Sequence, residues 1–317
     1  MFSFIQYLHG LLEKLKKNKG LWFTTITVVS IIGILFCLYI ITSMTSNVSE
    51  KVYNSMSDEY IARVDNHLGS KEFEYKTIVL ALSQDKELLG FFEKGNDEGL
   101  TVFAKTLNES ILKNSINNFK VLFHNPAKKD KILRSSINSV VNTKNSVYGI
   151  DTTADGIFNV YLKPLVKDEK VYGVIEIRES IHNYRKYFEN LDDQYVFLLD
   201  KKMLPKLSVA TKQGRYRDMN ENYVVAQTFY DTKFSATIPE IEKEKFSELI
   251  SQNYLIDGIY YRTYKTVTDI NGVDIGIMVL GEIVDKENGF VNIADNMTKT
   301  VTMVSLGLVI SIMLFMF

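Results

Sequence analysis

The spacing of apolar positions along this chain changes several times, and each change marks a different kind of element. Residues 21–44 read LWFTTITVVSIIGILFCLYIITSM, without a single charge. As a helix this run would extend roughly 36 Å, enough to cross a hydrocarbon core of about 30 Å. Val48, Val52, Met56, Tyr60, Val64 and Leu68 then recur every four residues, with Ser, Asn, Glu, Lys and Asp between them. That period predicts an amphipathic helix growing out of the first run, with a break at Gly69-Ser70 and an extension towards Phe91-Phe92. Gly95-Asn96 reads as a stop. Asp97 reads as the cap of a further helix carrying Leu100, Phe103, Leu107 and Ile111.

After Asn117 the period shortens. Runs rich in Val, Ile, Phe and Tyr at 119–124, 131–135, 156–166 and 171–178 predict strands of an antiparallel sheet, separated by polar turns such as Lys167-Asp168-Glu169-Lys170. Residues 180–191 predict a short helix with Tyr184 and Phe188 on one face. A second set of strands is expected at 195–199, 223–229, 258–268 and 273–283. Asn271-Gly272 joins the last two, a hairpin signal because a type I′ turn needs positive φ at both central positions. Residues 239–252 predict a helix with Pro239 near its first turn. Phe290, Ile293, Met297 and Val301 carry a helical stripe into 301–317, VTMVSLGLVISIMLFMF, which makes only about 25 Å of helix. The order predicts an α+β chain: two tandem α+β modules on a long N-terminal stalk helix, flanked by two transmembrane helices.

Charge sets an expected orientation. Lys14, Lys16, Lys17 and Lys19 precede the first run, opposed only by Glu13, which places residues 1–20 in the cytoplasm and 45–298 outside. Trp22 and Phe23 fall where an interfacial aromatic belt is expected. A cleaved signal peptide is the alternative, but the apolar run is too long for one and no small-residue cleavage pattern follows. Residues 301–317 end without a polar or basic flank, so the sequence is expected to be the front part of a longer protein.

Composition narrows the function classes. The net charge of −1 over 317 residues gives no electrostatic footprint for nucleic acid. Aromatic content of 12% with four prolines belongs to a chain that folds around packed cores. Cys37 is the single cysteine, so no intrachain disulfide or Cys/His metal cluster can form. His9, His67, His124 and His182 show no metal-ligand spacing, and there is no phosphate loop, nucleophile elbow, kinase or cyclase signature. Catalysis, a cofactor and a resident metal are therefore not expected.

Side chains in and beside the first set of strands offer groups for a binding site, each with a structural role as the alternative. Arg134 can clamp a carboxylate bidentately, face solvent, or pair with Asp151. His124, just before Asn125-Pro126, can donate to a ligand or hold the strand end. Asp151 and Asp155 can recognise an ammonium group or be solvated loop acids. Tyr148, Phe158 and Tyr161 can form a ligand cage or belong to the core. Lys128 to Lys131 reads as a solvated loop in preference to an anion site.

Several short motifs suggest a family. They are Phe123-His124-Asn125-Pro126, Leu133-Arg134, Tyr148-Gly149-Ile150-Asp151 with Gly156, Pro164-Leu165-Val166, and Tyr172-Gly173-Val174-Ile175-Glu176. Together they resemble the double Cache sensory domains of bacterial chemoreceptors and sensor histidine kinases, best over residues 76–199. The chain departs from that pattern at Lys128-Lys129-Asp130-Lys131 and at Ser135-Ser136. The resemblance implies two PAS-like Cache modules, a distal one at 76–192 and a proximal one at 193–289. It further implies a small-molecule ligand, a homodimer and a bacterial inner membrane, with 45–298 as the sensing input of a signalling protein. The candidate ligand contacts are then Arg134, His124, Tyr148, Asp151, Phe158 and Tyr161. Two other readings stay open: a polysaccharide chain-length regulator, against which stand the strand-rich middle and the missing proline-rich stretch, and a membrane-anchored binding protein without output.

Overall fold

The computed structural model describes residues 19–114, 118–126, 133–213, 215–230, 232–241, 243–287 and 289–316. Lys14, Lys16 and Lys17 and the stretch Lys128 to Lys131 lie outside the described residues. The chain divides into two compact units, residues 56–286 and the helical segments before 56 and after 286.

Helix α1 runs from Lys19 to Leu82. Met56, Tyr60, Val64, His67, Lys71, Tyr75 and Val79 are buried along it at a spacing of three or four residues, with Ser57 buried beside Met56. The break expected at Gly69 does not occur. Gly69 faces open space and costs about 1 kcal/mol of helix propensity, whereas Tyr75 and Val79 beyond it are fully buried and hold the helix down. The helix stops at Leu82, short of Phe91-Phe92, because Asp85 accepts a hydrogen bond from the Leu88 N–H (2.9 Å) and caps α2, Lys86–Glu93. Gly95, at φ +60°, ends that turn. Asn96, in place of the expected Asp97, caps α3 (Asp97–Asn114) by accepting from the Gly99 N–H at 2.9 Å.

The first sheet contains β1 (Phe119–His124), β2 (Val147–Thr153), β3 (Gly156–Lys167) and β4 (Lys170–Ser180), antiparallel in the order β1-β4-β3-β2. Strand β2 is a finding beyond the sequence pattern. Of the strand expected over 131–135, residues 131 and 132 lie outside the described residues and the rest is not strand. Arg134 is extended and α4 begins at Ser135, ending at Thr143. Its Val and Ile content favours strand locally, but Ile137 and Val140 bury at helical spacing against Val160, Leu162 and Val174. Tyr75, Val79, Leu88, Phe92 and Leu100 cover the other face, on Val121, Tyr161, Ile175 and Ile177.

After α5 (Tyr184–Asn190) comes the second sheet. Its strands are β5 (Gln194–Asp200), β6 (Tyr216–Asp218), β7 (Tyr223–Ala226), β8 (Tyr254–Ile256), β9 (Tyr260–Thr268) and β10 (Asp274–Ile283), in the order β6-β7-β5-β10-β9-β8. Between them lie α6 (Val209–Lys212), α7 (Lys233–Ala236) and α8 (Lys243–Gln252). Pro239 sits in a separate 3₁₀ turn ahead of α8. Helix α9, Phe290–Met316, belongs to the other unit, where Tyr53 donates to Asp295 at 3.0 Å and the Ser49 and Thr298 hydroxyls lie 3.3 Å apart. Among the described residues no helix is long and apolar enough to cross a membrane.

The β9–β10 hairpin is not the expected type I′ turn, since Gly272 has positive φ (+77°) and Asn271 does not. Asp269 organises a wider loop, its carboxylate accepting from the N–H groups of Asn271 (2.8 Å) and Val273 (3.0 Å). The loop docks on β2: the Ile270 N–H donates to the Ile150 carbonyl at 2.8 Å, and its side chain packs against the α4-side core. Gly149, at φ +150°, makes the room, because a Cβ there would lie 2.6 Å from Ile270 Cγ2. Gly149→Ala is expected to destabilise the fold by about 2 kcal/mol through clash and backbone strain, a drop that denaturant unfolding measures.

Candidate functional site

Alternation along the strands sorts the candidate residues between two faces. On β4, Ile175 and Ile177 point to the α1 side while Glu176 points to the α4 side, where Asp151 of β2 and His124 of β1 also emerge. Helix α4 begins over this face and brings Arg134 and Ser136 to the carboxylates. Arg134 Nε donates to Asp151 Oδ2 at 2.8 Å and to Ser136 Oγ at 2.7 Å, and Nη2 donates to Glu176 Oε1 at 2.6 Å. The Ser136 hydroxyl donates to Asp151 at 2.6 Å, and His124 Nε2 lies 2.5 Å from Glu176 Oε2.

Glu176 is fully buried and Asp151 nearly so. Burial alone would raise the Glu176 carboxyl, but the His124 hydrogen bond and the Arg134 charge outweigh it and hold the group down at about 2. For Asp151, burial prevails over the Ser136 and Arg134 hydrogen bonds and its pKa is raised. Arg134 is thus the partner of Asp151, one of the alternatives the sequence left open, and its fork is occupied by the protein's own acids.

Phe158 lies on the same face, under the Arg178 guanidinium at 4.7 Å. Tyr148 and Tyr161 are not brought to this cluster. They emerge towards α1, where the Tyr148 hydroxyl donates to the Leu68 carbonyl (2.6 Å) and receives the Asn159 amide (2.8 Å). Asp155 is exposed and reaches Arg178 at 3.4 Å. Glu176 and Ser136 stand in the short motifs compared above but are not among the candidate ligand contacts read from the sequence. An acid flanked by isoleucines, as in Ile175-Glu176-Ile177, was the available signal, because a charge inside such a run needs a buried partner.

Beside the cluster, at the outer edge of β1, lies a cavity of about 200 Å³ between α3 and the strand, bounded by Asp97, Leu100, Ala104, Phe123, His124 and Leu133. His124 belongs to both cavity and cluster. A wider open groove of about 730 Å³ runs past His67, Lys71, Glu179, His182 and Phe229. There His67 stacks on Tyr187 at 3.8 Å and His182 stacks on Phe229 at 4.3 Å, with Nδ1 2.9 Å from the Tyr230 hydroxyl. Burial pushes His67 down to about 4 and His182 to about 3, so both are neutral at pH 7. In the second sheet, buried Arg262 is satisfied by Asp257 (2.7 Å), the Phe234 carbonyl (2.8 Å) and Thr237 (2.6 Å), as a core support has to be. Among the described residues no group of three His, Cys, Asp or Glu side chains is placed to hold a metal ion.

No protein-family model matches this sequence, and no curated protein matches it at a significant level. Solved structures do. One is the extracellular domain of vpHK1S-Z8, assigned as a histidine kinase, with 11% identity and a TM-score of 0.44 over 75% of this chain and 98% of that one. Another is a domain from Vibrio parahaemolyticus assigned to the sensory box/GGDEF family, with 9% identity and a TM-score of 0.43 over 74% of this chain and 97% of that one.

Proposed function

We propose that the chain is the extracytoplasmic ligand-sensing input of a bacterial transmembrane signalling protein of the sensor-kinase or chemoreceptor type. It receives a small molecule in the cavity beside His124. The observation that carries this reading is the position of His124, which lines the cavity and whose ring meets buried Glu176 at 2.5 Å. A ligand touching His124 changes the bonding of Glu176, and with it Arg134 and Asp151. Asp151 is adjacent to Ile150, the residue on which the β9–β10 loop docks. Only a ligand that prefers one of two arrangements of this network can drive a signal.

The charge-free segments 21–44 and 301–317 support membrane attachment, with residues 45–298 outside and arranged as the distal (76–192) and proximal (193–289) modules. The partners of such a chain are the ligand, the lipid bilayer and a second copy. The chain is expected to sediment with membranes and to be released by detergent but not by alkaline carbonate. Recovery in the soluble fraction would overturn the membrane reading. A thermal-shift screen of amino acids, organic acids, amines and amides tests the sensing reading, which falls if no class shifts the melting temperature.

A further inference from the structure

Strand β1 is an edge strand, and one stretch of that edge is already covered by the protein itself. The side-chain amide of Asn108, on α3, donates from Nδ2 to the Val121 carbonyl at 2.8 Å. Its Oδ1 accepts from the Val121 N–H at 2.8 Å. One planar carboxamide thus satisfies both backbone groups of one residue, as a neighbouring strand would.

Residues two apart on a strand present their backbone groups to the same edge, so the N–H and C=O of Phe123 face outward beside those of Val121. Among the described residues neither Phe123 group has a hydrogen-bond partner. Four residues of helix rise about 6 Å, and two residues of strand about 6.7 Å. With α3 antiparallel to β1, the residue that stands opposite Phe123 as Asn108 stands opposite Val121 is Ala104. Ala104 has no amide and little bulk, and the 200 Å³ cavity lies there, bounded by Ala104, Leu100, Phe123 and Leu133.

We propose that this cavity binds a small molecule bearing a carboxamide, or another planar group with a donor beside an acceptor, held by the Phe123 N–H and C=O as Val121 holds Asn108. The inference rests on reading the cavity as the sensing site and adds the chemical class of its ligand. The flanking Leu100, Leu122 and Leu133 take a short apolar body, and His124 reports occupancy to Glu176.

Hydrogen exchange of the full chain in lipid nanodiscs tests it, read at the Val121 and Phe123 amides. Without ligand, Phe123 should exchange about tenfold or more faster than Val121. Asn108→Ala should remove the difference by releasing Val121. Ala104→Asn should supply the amide in cis and slow Phe123 to the Val121 rate, with no further slowing by ligand. In the wild-type protein, millimolar glutamine, asparagine or nicotinamide should slow Phe123, while glutamate and aliphatic amines should not. This arm stands whether or not Ala104→Asn folds. Equal exchange of Phe123 and Val121 in the wild-type protein overturns the open edge. Protection of Phe123 by acids or amines but not amides removes the ligand class and leaves the sensing reading in place. Protection by no compound of any class removes both.

Discussion

Replacing Arg134 by methionine is expected to cost about 3–5 kcal/mol of stability, the usual consequence of leaving buried acids without their cation. Glu176 and Asp151 are both buried, and three hydrogen bonds of 2.6 to 2.8 Å from the guanidinium to Asp151, Ser136 and Glu176 would be lost. Methionine keeps much of the stem's packing, so the loss reports the charge and its hydrogen bonds and not a cavity. A clear compensation follows: Arg134→Met combined with Glu176→Gln and Asp151→Asn should recover a large part of the loss, because neutral amides tolerate burial better than carboxylates. Urea denaturation of the single and combined variants measures both. A single variant within about 0.5 kcal/mol of wild type would show that the cluster is not electrostatically coupled.

The second large effect is acid lability. His182 titrates near 6.5 when the chain is unfolded but near 3 in its stack against Phe229, and His67 falls to about 4 against Tyr187. An unfolded chain therefore binds these protons more readily than the folded one. Their contribution is complete above pH 6.5 and is lost as pH falls towards 4 and then 3. For His182 alone the displacement corresponds to roughly 4–5 kcal/mol. Glu176 acts in a lower window, complete above its ordinary 4.5 and lost towards about 2, while the raised Asp151 works in the opposite sense. Stability measured from pH 7.5 to 3 should thus fall steeply below 6.5, well before carboxylates titrate. His182→Gln keeps a polar partner for Tyr230 but cannot charge, and should flatten the slope between pH 6.5 and 4. An unchanged slope in that variant would assign the acid transition to other groups.

The period-four stripe of α1, the shift to short β-branched runs, and the strands β1, β3, β4, β5, β9 and β10 were legible because each follows local periodicity, which needs only the chain itself. Boundaries failed where a side-chain cap decided them. Asp85 and Asn96 ended and started helices that apolar spacing alone extended or displaced.

The sequence by itself determined the α+β character, the long N-terminal helix, the two sets of strands, and the residue types available for a site. Tertiary structure decided which of them meet. Arg134 moved from an expected strand to the start of α4 because Ile137 and Val140 are buried best as a helix on the sheet. Tyr148 and Tyr161 went to the α1 face and Asp151 to the other because strand parity sends alternate residues to opposite sides, and β2 itself was not foreseen. Glu176, Ser136 and Asn108 gained roles only once elements distant in sequence were packed together. Hydrogen bonds to buried groups depend on the placement of three or more elements at once, and no local pattern encodes that.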